Sequence, residues 1–530
     1  MKNLERRDFL KLAAAGSLAI VSSRSAAAAK SGNTMHAAEL EEATVTSLQA
    51  AMSSGQMSAR GITQSYLARI AEIDKRLNSM IELNPDAIAI ADQMDKERKA
   101  GKVRGPLHGI PVVIKDNIDT ADKMHTTAGS LALLDAPTPK QDAFIVTQLR
   151  NAGAVIIGKS NLSEWANFRS TKSSSGWSGR GGQTHNPYVL DRNPCGSSSG
   201  TGAAIAANLA AIGVGTETDG SVICPSATCG IVGIKPTLGL VSRSGIIPIA
   251  HSQDTAGPMC RTVADAAALL TVMAAADPSD AITSAATAQK KDYTQFLQKD
   301  GLRGMRIGVA RQYFGRNAKV DALIESHLQI LKDGGATLVD VEFPKLQNFG
   351  DAEYEVLLYE FKADLNKYLA ARGGPHKTLA DLIDFNNKNA AKEMPYFGQE
   401  IFIQADAKGD LTERAYQIAL MQSKMMTQEQ GIDAVAASAK VDAFVAPSGG
   451  TAWMTDLVNG DCGVFESSSL AAVAGYPNIT VPAGYVQGLP VGISFFGKAF
   501  SEPTLIKAAY AYEQATKARK APQFLPTYKG

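Results

Sequence analysis

Histidine is scarce in this chain and poorly placed for catalysis. There are seven in 530 residues, and beyond residue 200 only His251, His327 and His376 remain, none in a setting that suggests a general base. Excess charge of either sign is also lacking. The 53 Lys and Arg are balanced by 52 Asp and Glu, so neither a nucleic-acid partner nor a charged membrane surface is implied. The five cysteines, Cys195, Cys224, Cys229, Cys260 and Cys462, form an odd set without the paired spacing of a metal site. No His/Asp/Glu cluster has ligand spacing either, and no metal or other cofactor is expected. The cysteines read mostly as small buried hydrophobes, with a Cys224–Cys229 disulfide open to the chain in an oxidising compartment. No Pro/Gly-rich or charged linker interrupts the chain beyond its N-terminal leader. A hydrophobic content of 45% is that of an ordinary globular protein with ample material for a core.

Long apolar runs are missing too. The run over residues 12–21 is too short to cross a bilayer. It follows Arg6-Arg7-Asp8-Phe9-Leu10-Lys11 and ends in Ala26-Ala27-Ala28-Ala29. That pattern reads as a twin-arginine export signal over 1–29 with a small-residue cleavage site. It predicts a periplasmic or secreted mature chain, 30–530, with no stable membrane association.

What the chain does have is concentrated in residues 193–236, NPCGSSSGTGAAIAANLAAIGVGTETDGSVICPSATCGIVGIKP. A Gly/Ser loop (196–202) leads into an alanine-rich segment (203–211) that reads as a tightly packed helix. The apolar piece 212–214 reads as a buried strand and is followed by a second tight turn, Thr218-Asp219-Gly220-Ser221. Glycine-rich loops let backbone N–H groups approach a ligand closely, so the two serine-bearing loops read as halves of one pocket. A phosphate loop would need a lysine after Gly202 and has none. Gly196-Ser197-Ser198-Ser199-Gly200 matches the Gly-x-Ser-x-Gly nucleophile elbow. The preceding residues, GGQTHNPYVLDRNPC, are polar and proline-broken rather than strand-like, and no suitable histidine follows.

Elsewhere, residues 40–100 show helical spacing of apolar residues. Residues 107–114 switch to a continuous apolar run of strand type, fit for a sheet buried on both faces. That strand delivers Lys115 to its C-terminal end, where open α/β sheets hold ligands. A similar run, 154–157, precedes Lys159. The segment 277–440 is more polar and reads as a mainly helical insert. Strand-like runs return at 441–446, 479–481 and 491–496, before an amphipathic helix near 505–518.

Residues 193–236, together with HGIPVVIKDNIDTADKMHTTAGS (108–130), GKSNLSEWANF (158–168), SQDTAGPMCRTVADAA (252–267) and AGYPNITVPAG…GLPVGISFFG (474–497), resemble the amidase signature family of serine hydrolases. The matches span roughly residues 40–520, in order. The resemblance implies a single large α/β/α domain with a mixed central β-sheet covered by helices. It also implies hydrolysis of a carboxamide C–N bond through a seryl acyl-enzyme. By motif, Ser221 is the nucleophile, Ser197, preceded by a cis peptide bond, is the bridging serine, and Lys115 is the general base; Lys159 is structural. Backbone N–H groups of Thr218, Asp219 and Gly220, with that of Ser221, are the oxyanion-hole candidates. Cys195 stands where relatives commonly carry glycine or serine, and Asp219 replaces the first glycine of a Gly-Gly-Ser turn.

The chemistry is coherent. A serine hydroxyl needs a base within hydrogen-bond reach, and a lysine with the ordinary pKa of about 10.4 is protonated at neutral pH. Burial lowers that value, and the apolar strand before Lys115 offers burial, with the adjacent Asp116 expected to oppose it. TETDGS, the export signal and WANFRS…SGWSGRGGQ…NPY look most like bacterial peptide amidases, which implies a small-molecule or peptide amide substrate, foremost the C-terminal amide of a peptide. Aryl-amidase, carbamate or ester hydrolysis on the same scaffold is the alternative. A transamidosome glutaminase component that makes Gln-tRNA and a non-catalytic binding protein are more remote.

Overall fold

The computed structural model describes residues 40–344, 349–462 and 465–528; the export signal read over 1–29 lies outside them. The apolar runs become strands of one mixed eleven-stranded sheet. In chain order they are β1 (Met80–Leu83), β2 (Pro111–Lys115), β3 (Val155–Ser160), β4 (Ile212–Glu217), β5 (Val232–Lys235), β6 (Thr255–Cys260), β7 (Arg306–Ala310), β8 (Thr337–Val341), β9 (Ala443–Pro447), β10 (Asn478–Val486) and β11 (Leu489–Phe496). Their order across the sheet is β1-β3-β2-β4-β6-β5-β10-β11-β9-β7-β8. Every residue of β2, β3, β4, β5 and β6 is buried. That follows from runs with no polar alternation, since a strand apolar on both sides needs cover on both faces.

The helices supply the cover. Val45–Ser53 is capped by Thr44, whose side chain accepts from Ser47 N–H. Ala59–Ile73 is capped in the same way by Ser58. The alanine-rich segment is helical only over Ser199–Ala206, beginning inside what reads as the Gly/Ser loop. Its small side chains let it lie flat on the sheet. A Cβ placed at Gly213 of β4 would sit 2.7 Å from Thr201 of this helix.

The segment 277–440 is not purely helical. It contains long helices, Phe349–Arg372 among them, but also contributes β7 and β8, which extend the sheet at its edge through parallel pairs with β9 and with each other. Lys159 lies inside β3, not after it. Its Nζ donates to the Ile118 carbonyl and, at 2.9 Å, to Thr126 Oγ1, so it serves as a buried brace.

β2 and β4 run parallel. Lys115 and Glu217, the last residues of these strands, therefore emerge on the same edge of the sheet. The central strands are packed so closely there that a Cβ on Gly257 of β6 would lie 2.1 Å from the Ile234 carbonyl of β5. Backbone cannot yield as a side-chain end can. Gly257→Ala should lower stability by about 1–3 kcal/mol in denaturant unfolding.

Candidate active site

The Lys115 side chain is fully buried, and its ammonium is surrounded by neutral oxygens. Nζ lies 2.7 Å from Ser197 Oγ, 2.9 Å from Thr216 Oγ1 and 3.3 Å from the Thr216 carbonyl. Asn117 Nδ2 also donates to Thr216 Oγ1, at 2.9 Å. Burial pushes the Lys115 pKa down to about 7, against the opposing charges of Asp254 and Glu217. Asp116 is not among those charges. Its carboxylate turns away, accepting from Thr127 Oγ1 and, at 3.2 Å, from Gly129 N–H, as expected when successive residues of an extended segment point to opposite sides. Once deprotonated, the amine keeps two donors and gains a lone pair, to which the Ser197 hydroxyl can donate.

The Gly196–Ser197 peptide bond is cis. The next residue, Ser198, ties its loop to β4: Oγ donates to the Thr216 carbonyl at 3.1 Å and accepts from Thr216 N–H at 3.2 Å. Ser198 N–H donates to the Ser221 carbonyl at 3.2 Å, which draws the two loops together. No hydrogen bond between the Ser197 and Ser221 hydroxyls is found among the described residues. Such contacts commonly tighten only when substrate is in place. The elbow alternative fails on this geometry, because Ser198 is wholly buried and engaged with backbone, with no strand leading into it.

The turn after β4 is shaped from below by Glu217. Its buried carboxylate accepts from Val222 N–H at 2.8 Å and Ile223 N–H at 3.0 Å, holding the chain on the far side of Ser221. Gly220 has φ +77°, and a Cβ there would lie 2.6 Å from Glu466 Oε2, so glycine is required at this point. Among the described residues, no hydrogen bond engages the N–H groups of Asp219, Gly220 or Ser221. Thr218 is fixed through its side chain, Oγ1 donating to Asp254 Oδ1 at 2.6 Å. The Asp219 carboxylate accepts from Ser468 Oγ at 2.8 Å. Burial raises the pKa of Asp219, and burial together with the Asp219 charge raises both Glu353 and Glu466 to about 8.

Cys229 and Cys260 are free and buried, as expected of small packing residues, but Cys195 departs from that reading. Cys195 and Cys224 form a disulfide, whereas Cys229 is free and buried; the Cys224–Cys229 pairing does not occur. Cys229 caps the C-terminal end of the helix Ile223–Thr228 and faces the Pro194 carbonyl at 3.7 Å. Cys195, carried on the neighbouring loop, is the sulfur that reaches Cys224. Thr216, Glu217, Asp254 and Gln253 (whose Nε2 bridges Glu353 Oε1 at 2.9 Å and the Thr218 carbonyl at 3.4 Å) also went unassigned from sequence. Only Glu217 carried a signal there, as an acid closing an apolar strand.

A cavity of about 350 Å³ opens beside Thr216 and Thr218, with Asn117, Ile246, Ile249 and Asp254 in its lining. At its rim Arg243 pairs with Asp280. His251 lies there too, Nδ1 2.8 Å from Asp364 Oδ2 and Nε2 3.4 Å from Glu360 Oε1. Both ring nitrogens face carboxylates, which raise the pKa of His251 against its partial burial.

Comparison with known proteins shows the family and the fold. A profile of the family described as Amidase matches residues 61–506. A probable amidase of Arabidopsis thaliana is 41% identical over 498 residues, 92% of each chain. The crystal structure of native peptide amidase from Stenotrophomonas maltophilia superposes with a TM-score of 0.86 at 50% identity, covering 91% of this chain and 99% of that one. A glutamyl-tRNA(Gln) amidotransferase component of Caldanaerobacter subterraneus is 34% identical, over 92% of this chain and 99% of its own.

The buried amine has a measurable cost in stability. The folded chain holds Lys115 near 7 and the unfolded chain near 10.4, so between those values the unfolded state binds more protons and stability rises with pH. The cost is full below about pH 7 and gone above about pH 10.4. Lys115→Met should therefore be more stable than the parent by about 1–3 kcal/mol at pH 7, an advantage that vanishes near pH 10. Urea unfolding at the two pH values checks it.

Proposed function

The chain belongs to the amidase family, hydrolases of amide C–N bonds, and from that premise we propose that it releases ammonia from the C-terminal carboxamide of peptides. In this reading the Ser221 hydroxyl attacks the carboxamide carbon. Its proton passes to Ser197 as the Ser197 proton passes to neutral Lys115. The tetrahedral oxyanion is received by N–H groups of the Thr218-Asp219-Gly220-Ser221 turn. Collapse expels ammonia, protonated by the Lys115 ammonium through Ser197, and leaves the Ser221 ester. Water, deprotonated by the same relay, then hydrolyses it. The observation that carries the reading is the 2.7 Å contact between Ser197 Oγ and an amine held near pKa 7, because a general base works best near the ambient pH.

The peptide substrate is supported by the likeness to the Stenotrophomonas peptide amidase at 50% identity. The adjoining cavity, of about 350 Å³ with isoleucines in its lining, is in the range of small-ligand sites and suits an apolar side chain. Ammonia release from a panel of peptide amides, aliphatic amides, anilides and esters tests the assignment. Peptide amides should give the highest kcat/KM, and preference for anilides or esters would move the enzyme to another branch of the family. The amidotransferase reading rests on likeness to such proteins and does not account for an export signal or a disulfide.

Predictions of two kinds, on catalysis and on location, complete the reading. With an N-acylated peptide amide, kcat/KM should rise with pH through about 7 and then level, as Lys115 loses its proton. Ser221→Ala should abolish turnover and labelling by a fluorophosphonate. Lys115→Arg, unable to deprotonate, should be as inactive as Lys115→Ala; an arginine variant retaining most of the rate would make Lys115 a purely electrostatic group.

The second concerns location. We infer export from Arg6-Arg7-Asp8-Phe9-Leu10-Lys11 and the alanines that follow, a reading supported by the Cys195–Cys224 disulfide, which is typical of oxidising compartments. Mass spectrometry of periplasmic protein should find an N-terminus near Ala29 or Lys30. Replacing Arg6 and Arg7 by lysine should block export, and an intact Met1 on active periplasmic enzyme would contradict the signal.

A further inference from the structure

We propose that the Cys195–Cys224 disulfide is a positioning element of the catalytic relay, coupling the loop of Ser197 to the turn of Ser221, so that full activity requires this pair oxidised. The inference rests on the Ser221, Ser197 and Lys115 assignment above.

The bond is placed where the relay is weakest. Cys195 stands two residues before Ser197, and Cys224 three residues after Ser221. Ser197 is held to Lys115 at 2.7 Å, but no hydrogen bond between Ser197 and Ser221 is found among the described residues. The two segments are otherwise joined by few links. Ser198 N–H donates to the Ser221 carbonyl at 3.2 Å, and Thr228 Oγ1 donates to the Pro194 carbonyl at 2.7 Å. A covalent bridge between these links limits sliding of one hydroxyl past the other, and a misplacement of about 1 Å in such a step costs on the order of a hundredfold in rate.

The backbone points the same way. Cys195 has φ +60°, a left-handed conformation that favours glycine and disfavours a residue with a Cβ. Cysteine occupies it and places its sulfur on Cys224. Both half-cystines are only 4% exposed and pack with Trp453 as a small cluster of their own. The bridge therefore joins the two catalytic loops to each other rather than closing the surface of the fold.

Reduction would undo this. A dithiol such as dithiothreitol supplies two electrons and two protons and leaves as its own cyclic disulfide, giving the Cys195 and Cys224 thiols. In a reducing compartment the same chain would fold around two unlinked thiols, with Lys115 and Ser197 in place and Ser221 uncoupled from them.

The test compares the mature enzyme, the same enzyme reduced with dithiothreitol, Cys224→Ala, and the double variant Cys195→Gly/Cys224→Ala. Glycine suits the left-handed backbone at 195, so the double variant removes the bond without imposing a new conformational demand. Assays run at 25 °C on protein with unchanged circular dichroism, using a peptide amide and a fluorophosphonate. The proposal expects kcat and the fluorophosphonate rate to fall at least tenfold in both variants. KM should stay within about twofold, and the acid limb of the pH profile should remain in place, because Lys115 keeps its burial. Reduced wild type should match the variants and recover on reoxidation. If kcat in both variants stays within twofold of wild type while only the melting temperature falls, the bond is structural and the proposal is overturned. Failure of the underlying reading shows separately, as activity surviving in Ser221→Ala.

Discussion

The site depends on keeping an ammonium out of water. Lys115 ends a strand whose every residue is buried, and among the described residues its amine meets only the hydroxyls of Ser197 and Thr216 and the Thr216 carbonyl. A carboxylate at contact distance would have held the proton on the lysine. Asp254 and Glu217 raise its pKa from farther away, while both carboxylates are engaged elsewhere, by Thr218 Oγ1 and by the Val222 and Ile223 amides. Desolvation therefore prevails, and the amine gives up its proton more readily than an ordinary lysine, as the proposed role of general base requires.

That one requirement explains much of the surrounding architecture. Parallel neighbours β2 and β4 bring Lys115 and the Thr216–Ser221 segment to the same edge of the sheet. The small-residue helix Ser199–Ala206 lies on them closely enough to exclude solvent. Its N-terminal approach carries the cis-linked Ser197 over the lysine. Glu217 serves the turn rather than the lysine, accepting from the amides beyond Ser221. The same closeness leaves no room for added atoms, at Gly213 and Gly257 within the sheet and at Gly220 in the turn.

Much of this was legible in the sequence. The run Ile110-Pro111-Val112-Val113-Ile114 reads as a strand fit for a sheet covered on both faces, and it delivers Lys115 where the structure has it. The two serine loops were recognisable from glycine and serine spacing together with the family resemblance. What escaped were contacts made across long sequence distances by ordinary residues. Cys195 looked like a small packing residue, and a Cys224–Cys229 bond was merely open to the chain, because periodicity cannot tell which sulfur faces a separate loop. Asp116, adjacent in sequence, was expected to oppose the lysine, yet Asp254 does so from 139 positions away. The polar segment 277–440 hid the edge strand Thr337–Val341 and its neighbour Arg306–Ala310, since both are short and set among charged helices.

The central claim is that Lys115 is largely neutral when the enzyme works, and its titration can be observed directly. Lysine labelled with ¹³C at Cε, in a Ser221→Ala enzyme that keeps the buried site but does not turn over, gives one resonance assignable by its loss in Lys115→Met. The account predicts that this resonance titrates near pH 7, below even the buried Lys235, which burial holds down to about 8. Titration near pH 10 would show that the amine is protonated throughout the working range and would contradict the account.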